Sequence, residues 1–248
     1  MADLPIIDAH HHIWRQADLP WLMGPMQPRI FGPYEPLQRD YPIDEFLGDV
    51  AGHGVSKSIY VQTNWRGGKE VDETRWVQSV ADQHGWPHAI VSYADLAGDN
   101  LGAILGAHSE SPLFRGVRQQ LHWHEKELYR FAATPDIMNG AAWRKGFAEV
   151  AERLADRLDD VRRRFPRALD LGCHDGLLGR VLGARGGIET LIQCDLSPAM
   201  AQRAKAAVDR LSLAADEEFL PFAEASFDLV LSCLSLHWVN DLPGALVQ

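Results

Sequence analysis

Cysteine is nearly absent from this chain. Cys173, Cys194 and Cys233 are the only three, an odd number, and no two of them form a C-x-x-C pair. That excludes a disulfide-built scaffold as the first reading and fits a reduced, cytoplasmic protein. Long hydrophobic runs are missing too: no stretch of about 18 apolar residues occurs, so no membrane-spanning helix is expected. The opening Met1-Ala2-Asp3-Leu4-Pro5 lacks the basic and apolar regions of a secretory signal. Basic residues are in the minority, 24 Lys and Arg against 34 Asp and Glu, for a net charge of −10. With no Lys/Arg stripe, nucleic acid is not an expected partner. The one basic run, Arg162 to Arg164, reads as a helix end, where cations suit the dipole. Gly/Ser linkers, low-complexity tracts and internal repeats are also absent.

What is present is uneven. The 248 residues, 46% apolar and 23% charged, suit one large α/β domain or two small ones. Seven of eight Trp, nine of eleven His and ten of fourteen Pro lie before residue 149, whereas all three Cys lie after it. A single domain rarely sorts its residues in this way, so a boundary is expected there, giving domains 1–148 and 149–248. Residues 134–146 read as a turn-rich stretch. Phe147, Val150, Ala151, Leu154, Leu158 and Val161 then follow helical spacing up to Pro166.

In the first half, strands are expected at Pro5–Ala9, Ser58–Gln62, His88–Tyr93 and Gly116–Leu121. Helices are expected at Thr74–His84 and Leu101–His108. Alternation of this kind implies a parallel α/β arrangement. The first strand ends in Asp8-Ala9-His10-His11-His12. Alternate strand residues share a face, so His10 and His12 project together and could share a divalent metal, zinc or manganese. Asp8 has the same parity and could orient one of them, whereas His11 should point away.

This stretch resembles the D-x-H-x-H opening of the amidohydrolase superfamily, whose members are (β/α)8 barrels with a metal at the mouth. Pro20-Trp21-Leu22, Ala51-Gly52-His53-Gly54-Val55, Glu73-Thr74-Arg75-Trp76-Val77 and Arg115-Gly116-Val117-Arg118-Gln119 look like its sugar-lactonase branch. The resemblance covers about residues 4–147. It implies a partial barrel of about four βα units, His10 and His12 as metal ligands, and Arg118 as a candidate catalytic or substrate-oxyanion group. It also implies a third His ligand and a catalytic Asp from later strands, which this piece does not supply. His122 and His124 read as loop residues.

In the second half, Arg167-Ala168-Leu169-Asp170-Leu171-Gly172-Cys173-His174-Asp175-Gly176 is an apolar strand running into a glycine turn. A helix is expected over Leu177–Leu182, then a strand over Thr190–Cys194. Asp195 closes that strand 19 residues past Gly176, the usual offset for a carboxylate that grips ribose hydroxyls. A helix over Pro198–Leu211 and an apolar strand over Phe227–Ser232 complete the pattern. With A-D-E-E-F-L-P-F and F-D-L-V-L-S, this region resembles the class I S-adenosylmethionine (SAM) methyltransferases over about residues 148–248. L-D-L-G-C-H-D-G and S-L-H-W-V-N-D look like the complex I assembly-factor and biotin-pathway members.

That resemblance implies a partial Rossmann-like sheet in strand order 3-2-1-4, with its last three strands beyond Gln248. SAM is the implied cofactor. Asp170, Gly172 and Gly176 would hold its methionine part, Asp195 its ribose, Asp216 and Glu217 its adenine, and Ser232 would flank the sulfonium. His174 stands where the family has Gly; it is a candidate base or, more simply, a tolerated substituent. His237 and Trp238 would form a loop over the site.

The sequence therefore points to two α/β lobes rather than one hybrid barrel: a SAM-binding methyltransferase-like domain fused to an incomplete lactonase-like domain. Two alternatives stand beside it. One is a metal-dependent hydrolase of lactones or carboxylic esters completed by a partner chain. The other is a non-catalytic artificial or misassembled fusion. Small-molecule substrates or methyl acceptors are the expected partners, and exposed sheet edges would allow oligomers.

Overall fold

The computed structural model describes residues 6–27, 32–126, 130–233 and 235. The chain divides into two compact units, Met1–Trp143 and Arg144–Gln248. The division falls a few residues ahead of the compositional seam and lies within a helix.

Unit 1 begins with strand β1 (Ile6–His11), the short helix α1 (Pro20–Met23) and helix α2 (Ile43–Val50). Two βα repeats follow, β2 (Val55–Val61) with α3 (Glu70–His84) and β3 (Ala89–Ser92) with α4 (Leu101–Ser109), and then strand β4 (Phe114–Val117). The four strands form one parallel sheet in the order β1-β2-β3-β4. A parallel sheet with helices on its faces must bury its strands, and Tyr60, Val61, Ile90 and Val117 are buried. Ile13, Ile43, Phe46, Tyr60, Val77 and Ile90 form one core cluster. Each such side chain stabilises the fold by about 1.5–3 kcal/mol on burial.

Helix α3 carries Glu70, Asp72 and Glu73 in its first turn, where the macrodipole favours carboxylates, and closes on Gly85 at φ +72°. Its inner face is tied to the sheet through buried polar groups. His108 Nε2 meets the Tyr93 carbonyl at 2.9 Å, so Nδ1 accepts from Thr74 Oγ1 at 2.9 Å, and the Thr74 and Ser92 hydroxyls are 2.6 Å apart. Buried polar groups satisfied in this way hold α3, α4 and β3 in one register.

The expected fourth strand, Gly116–Leu121, lies four residues too late at its far end. Pairing stops at Val117, the Arg118 N–H bonds the Ser92 carbonyl, and Gln119 and Gln120 turn into side-chain contacts with Leu96 and Asn64.

Helix α5 (Ala141–Asp156) starts inside the stretch expected to be turn-rich and ends before Val161. Ala141, Ala142 and Trp143 are compatible with helix, and only Gly140 lies outside it as a breaker. In unit 2, α5 packs Ala151 and Ala155 onto a core shared with Leu178, Leu182, Leu191 and Leu231. Strand β5 (Arg167–Leu171) leads to helix α6 (Leu177–Leu182), β6 (Thr190–Asp195), helix α7 (Pro198–Ala207), β7 (Leu211–Ala214) and β8 (Leu229–Leu231). All pairings are parallel, in the order β7-β6-β5-β8. This is the 3-2-1-4 order of a Rossmann-like α/β fold.

Helix α7 is shorter than expected. Val208 adopts an extended φ of −139° and the chain re-enters the sheet at Leu211 as the edge strand β7. Strand β5 is central and buried from its second residue onward, whereas the edges β7 and β8 are partly exposed. The strand order reverses beside β5, so the loop after β5 opens at the switch point where open α/β sheets bind ligands. Among the described residues, no helix is long and apolar enough to cross a membrane.

Candidate functional site

Each unit carries polar side chains at the C-terminal ends of its strands. In unit 1, His10 Nε2 and His12 Nε2 lie 3.2 Å apart at the end of β1. The His12 Nδ1–H donates to the Val61 carbonyl at 2.7 Å, which fixes its tautomer and leaves the Nε2 lone pair to accept from His10 Nε2–H. Burial pushes the His12 pKa down to about 4 and lowers that of His10, so both rings are neutral near pH 7. His11 faces the other way as alternation requires: it is buried, stacked on Phe46 at 4.0 Å, with Nε2 on Ser58 Oγ at 3.0 Å.

Asp8 does not reach a ring. Its Oδ1 accepts the His10 backbone N–H at 3.0 Å, a bond two residues along the chain that closes a local turn instead. Arg118 is half-buried, its charge is felt by both His10 and His12, and burial alone lowers its pKa. Its side chain has no ion-pair partner among the described residues. His122 and His124 stack on each other at 6.5 Å in the loop after β4. Among the described residues, no group of three His, Cys, Asp or Glu could hold a metal ion.

In unit 2 the strand–turn–helix after β5 is built on left-handed backbone. Gly172, His174 and Gly176 have φ of +69°, +51° and +78°. A glycine is the natural residue at each, and His174 bears the strain of a side chain in the left-handed region. The His174 ring is not a free surface group; it is partly buried, edge-on to Phe147 with centroids 5.9 Å apart.

Asp195 anchors this turn. Its Oδ2 accepts the His174 N–H and its Oδ1 the Ser197 N–H, both at 2.9 Å. One buried carboxylate thus joins the glycine turn to the start of α7. Asp170 is completely buried and, among the described residues, neither carboxylate oxygen makes a well-formed hydrogen bond; the Gln193 side-chain amide is the donor that faces it. Burial, with a contribution from the Asp195 charge, raises its pKa to about 7, against a lowering influence of the Gln193 side chain. Ser232 Oγ is likewise buried, without a partner among the described residues. Glu217 is buried, and its Oε1 approaches to 3.6 Å of the space where a Gly172 Cβ would sit. Asp216 is partly buried and accepts the Glu218 N–H at 2.9 Å.

The C-terminal region matches the family described as "Methyltransferase domain" over residues 169–248. The C-terminal half is a class I SAM-dependent methyltransferase domain. It is 50% identical over 101 residues to human "Arginine-hydroxylase NDUFAF5, mitochondrial", covering 40% of this chain and 29% of that protein. It is 42% identical over 102 residues to "Malonyl-[acyl-carrier protein] O-methyltransferase" of Halorhodospira halophila, covering 40% and 35%. A third similarity, 35% over 158 residues to "Uncharacterized protein y4mH" of Sinorhizobium fredii, covers 62% of this chain and 52% of that one. That span exceeds unit 2, so it includes part of unit 1. The chain spans about half of the Sinorhizobium protein and less than a third of the human one.

Within the methyltransferase domain the expected residues Asp170, Gly172, Gly176, Asp195, Asp216 and Glu217 lie along the C-terminal ends of β5 to β7. Two glycines have a further purpose. A Cβ on Gly176 would come within 2.9 Å of Ala204 Cα, and one on Gly179 within 2.7 Å of Gln193 Nε2. Both glycines therefore let α6 settle against α7 and β6. A Cβ on Gly172 would meet Ser235 Oγ at 1.6 Å, so the last described residue fills the space above that turn.

Gln193 and Ser197 were not singled out in the sequence. Gln193 is fully buried, directly across from Asp170 in the β5–β6 pairing, and among the described residues its Nε2 makes no well-formed hydrogen bond. A Gln inside the otherwise apolar strand T-L-I-Q-C-D is the signal that marks it. His237 and Trp238 lie outside the described residues.

Proposed function

We propose that the methyltransferase domain binds SAM over the glycine turn after β5 and delivers its methyl group to a small-molecule acceptor. The observation that carries this reading is Asp170. A fully buried carboxylate with no cation beside it, faced only by the Gln193 side-chain amide, is costly, and it lies beneath a left-handed glycine turn at the sheet's switch point. A ligand's cationic amino group would supply the missing donor. Asp195 would receive ribose hydroxyls, Asp216 and Glu217 would face the adenine, and Ser232 would flank the sulfonium.

When bound, SAM supplies an electrophilic methyl group; the chain's own residues position it and keep competitors away. Cys194 and Cys233 are kept as thiols by burial, with pKa values pushed up to about 11 and 12, and Cys173 is raised further. A thiol is a far weaker nucleophile than a thiolate, so the three sulfurs are poor methyl acceptors near neutral pH. Titration calorimetry of the whole chain with SAM is expected to give a dissociation constant in the micromolar range, around −8 kcal/mol. No heat from folded protein would refute the reading. The two named relatives differ in reaction, one called a hydroxylase and the other an O-methyltransferase. Release of S-adenosylhomocysteine with an acceptor present is the readout specific to methyl transfer.

A second reading concerns unit 1, as part of a metal-dependent, lactonase-like hydrolase. It is supported by the 3.2 Å approach of His10 and His12 Nε2, by the His12 Nδ1 bond to Val61, and by strands paired in sequence order as in a barrel. These two imidazoles would hold zinc or manganese, and Arg118, without an ion pair among the described residues, would face a substrate oxyanion. The described residues bring only two metal donors, so the fit is partial and no hydrolytic step is derived. Elemental analysis after dialysis against trace zinc or manganese is expected to show about one equivalent, lost in His12→Ala. Less than about 0.1 equivalent in the unaltered chain counts against it.

A further inference from the structure

Unit 1 holds a cavity of about 210 Å³ whose lining includes Trp65, Glu70, Glu73, Tyr93 and Phe131 but not His10, His12 or Arg118. It lies past the ends of β2, β3 and β4, spanned by a hydrogen bond of 2.9 Å from Asn64 Nδ2 to Gln120 Oε1. Two carboxylates and three aromatic rings line it, and among the described residues no Lys or Arg does.

Glu73 is the unusual member, with a side chain all but fully buried at 2% exposure. Its Oε1 accepts three hydrogen bonds, from Tyr60 Oη at 2.7 Å, the Thr63 N–H at 2.7 Å and Thr63 Oγ1 at 3.0 Å. Its Oε2 accepts none among the described residues, and Glu73 lines the cavity. Burial raises the Glu73 pKa and the like charge of Glu70 adds to this, against the lowering effect of the Thr63 and Tyr60 hydrogen bonds; no cation among the described residues contributes, so a bound cation would favour the ionised form. Arg15 lies over the Trp65 ring at 5.2 Å, but its guanidinium is paired with Asp18 at 2.6 Å.

We propose that this cavity binds a small organic ammonium ion. The unsatisfied Glu73 oxygen and Glu70 supply negative charge, and Trp65, Tyr93 and Phe131 present aromatic walls that attract a cation through the ring quadrupole. Carboxylates without a Lys or Arg ion pair among the described residues, facing an aromatic-lined space, are complementary to an alkyl-substituted nitrogen, whose hydrocarbon part packs on the rings. The volume equals that of about seven liquid waters, the size of a compact amine rather than a nucleotide. This site is independent of SAM binding in unit 2.

The test is calorimetry on the full chain with choline, with n-butylamine, and with the neutral tert-butyl analogue of choline. At least one of the two amines is expected to bind with a dissociation constant of about 10 mM or tighter, and the neutral analogue at least about tenfold more weakly. Glu70→Gln, which keeps the acceptor used by the Gly68 N–H, is expected to weaken amine binding about tenfold, with the thermal melt of unit 1 unchanged. Glu73→Gln should do the same where it folds, and Glu70→Gln decides the matter if it does not. Absence of binding by both amines, equal binding of the neutral analogue, or an unaltered affinity in folded Glu70→Gln would each overturn the proposal.

Discussion

At pH 8 the Asp170→Asn chain is expected to melt at a higher temperature than the unaltered chain, and near pH 4 the two should converge. The folded-state pKa of Asp170 is raised to about 7 from the ordinary 3.8, by burial first. A raised carboxyl pKa means that the folded state holds its proton more tightly than the unfolded state. Below about pH 4 both states are protonated and nothing is lost. Between about pH 4 and 7 the unfolded chain ionises first and stability falls with rising pH; above about 7 the whole penalty is in place. A shift of about three units corresponds to about 4 kcal/mol. Asn is neutral but still a buried amide, so a gain of about 2–4 kcal/mol is expected, on the order of 10 °C for a domain of this size. Equal melting temperatures at pH 8 would show that the carboxylate finds a partner in solution. In the proposed site, the same substitution removes the acceptor for the cofactor's amino group. SAM affinity should therefore drop while stability rises, a separation that a purely structural role would not produce.

Asp195→Ala is expected to abolish measurable SAM binding and to destabilise unit 2 by about 2–4 kcal/mol. The stability loss follows from two partly buried backbone N–H groups, those of His174 and Ser197, losing their 2.9 Å acceptors. Each unpaired buried donor costs about 1–3 kcal/mol. His174 is already at φ +51°, so without the Asp195 oxygen its turn should relax. Asp195→Asn keeps the shape but offers an acceptor to only one of the two donors, and a loss of about 100-fold in SAM affinity is expected with most of the fold retained. Calorimetry and thermal melts on both variants check this. SAM binding within threefold of the unaltered chain in Asp195→Ala would remove Asp195 from the cofactor site.

Much of unit 2 was legible because its signals are local. The apolar run before Gly172, the glycine turn and the carboxylate closing the next strand require no knowledge of distant contacts, and α6 lies over Leu177–Leu182 as expected. Strand β7 was not legible. Leu211–Ala214 follows A-A-V-D-R, whose apolar spacing continues the helix, and only pairing with β6 turns it into a strand. The same holds for Gln193 and Ser235, whose roles depend on contacts with Asp170 and Gly172 made by residues far along the chain. In unit 1 the alternation of His10, His11 and His12 about the strand was readable from parity alone. The attachment of Asp8 to the backbone rather than to an imidazole was not, because a two-residue Asx turn competes with the ring for the same carboxylate. The cavity around Glu73 was hidden for another reason: in sequence, E-T-R-W-V is an ordinary first helical turn, and only folding sets its carboxylate against three donors and an aromatic wall.

The three buried cysteines give the molecule a built-in reporter. All lie in unit 2, at the ends of β5, β6 and β8, and none is in unit 1. Alkylation by a thiol reagent requires both exposure and an ionised sulfur, so the folded sheet is shielded twice. Labelling kinetics under native conditions consequently time the opening of the cofactor sheet alone, whatever unit 1 is doing. The slowing of that labelling by an added ligand measures occupancy without any engineered probe.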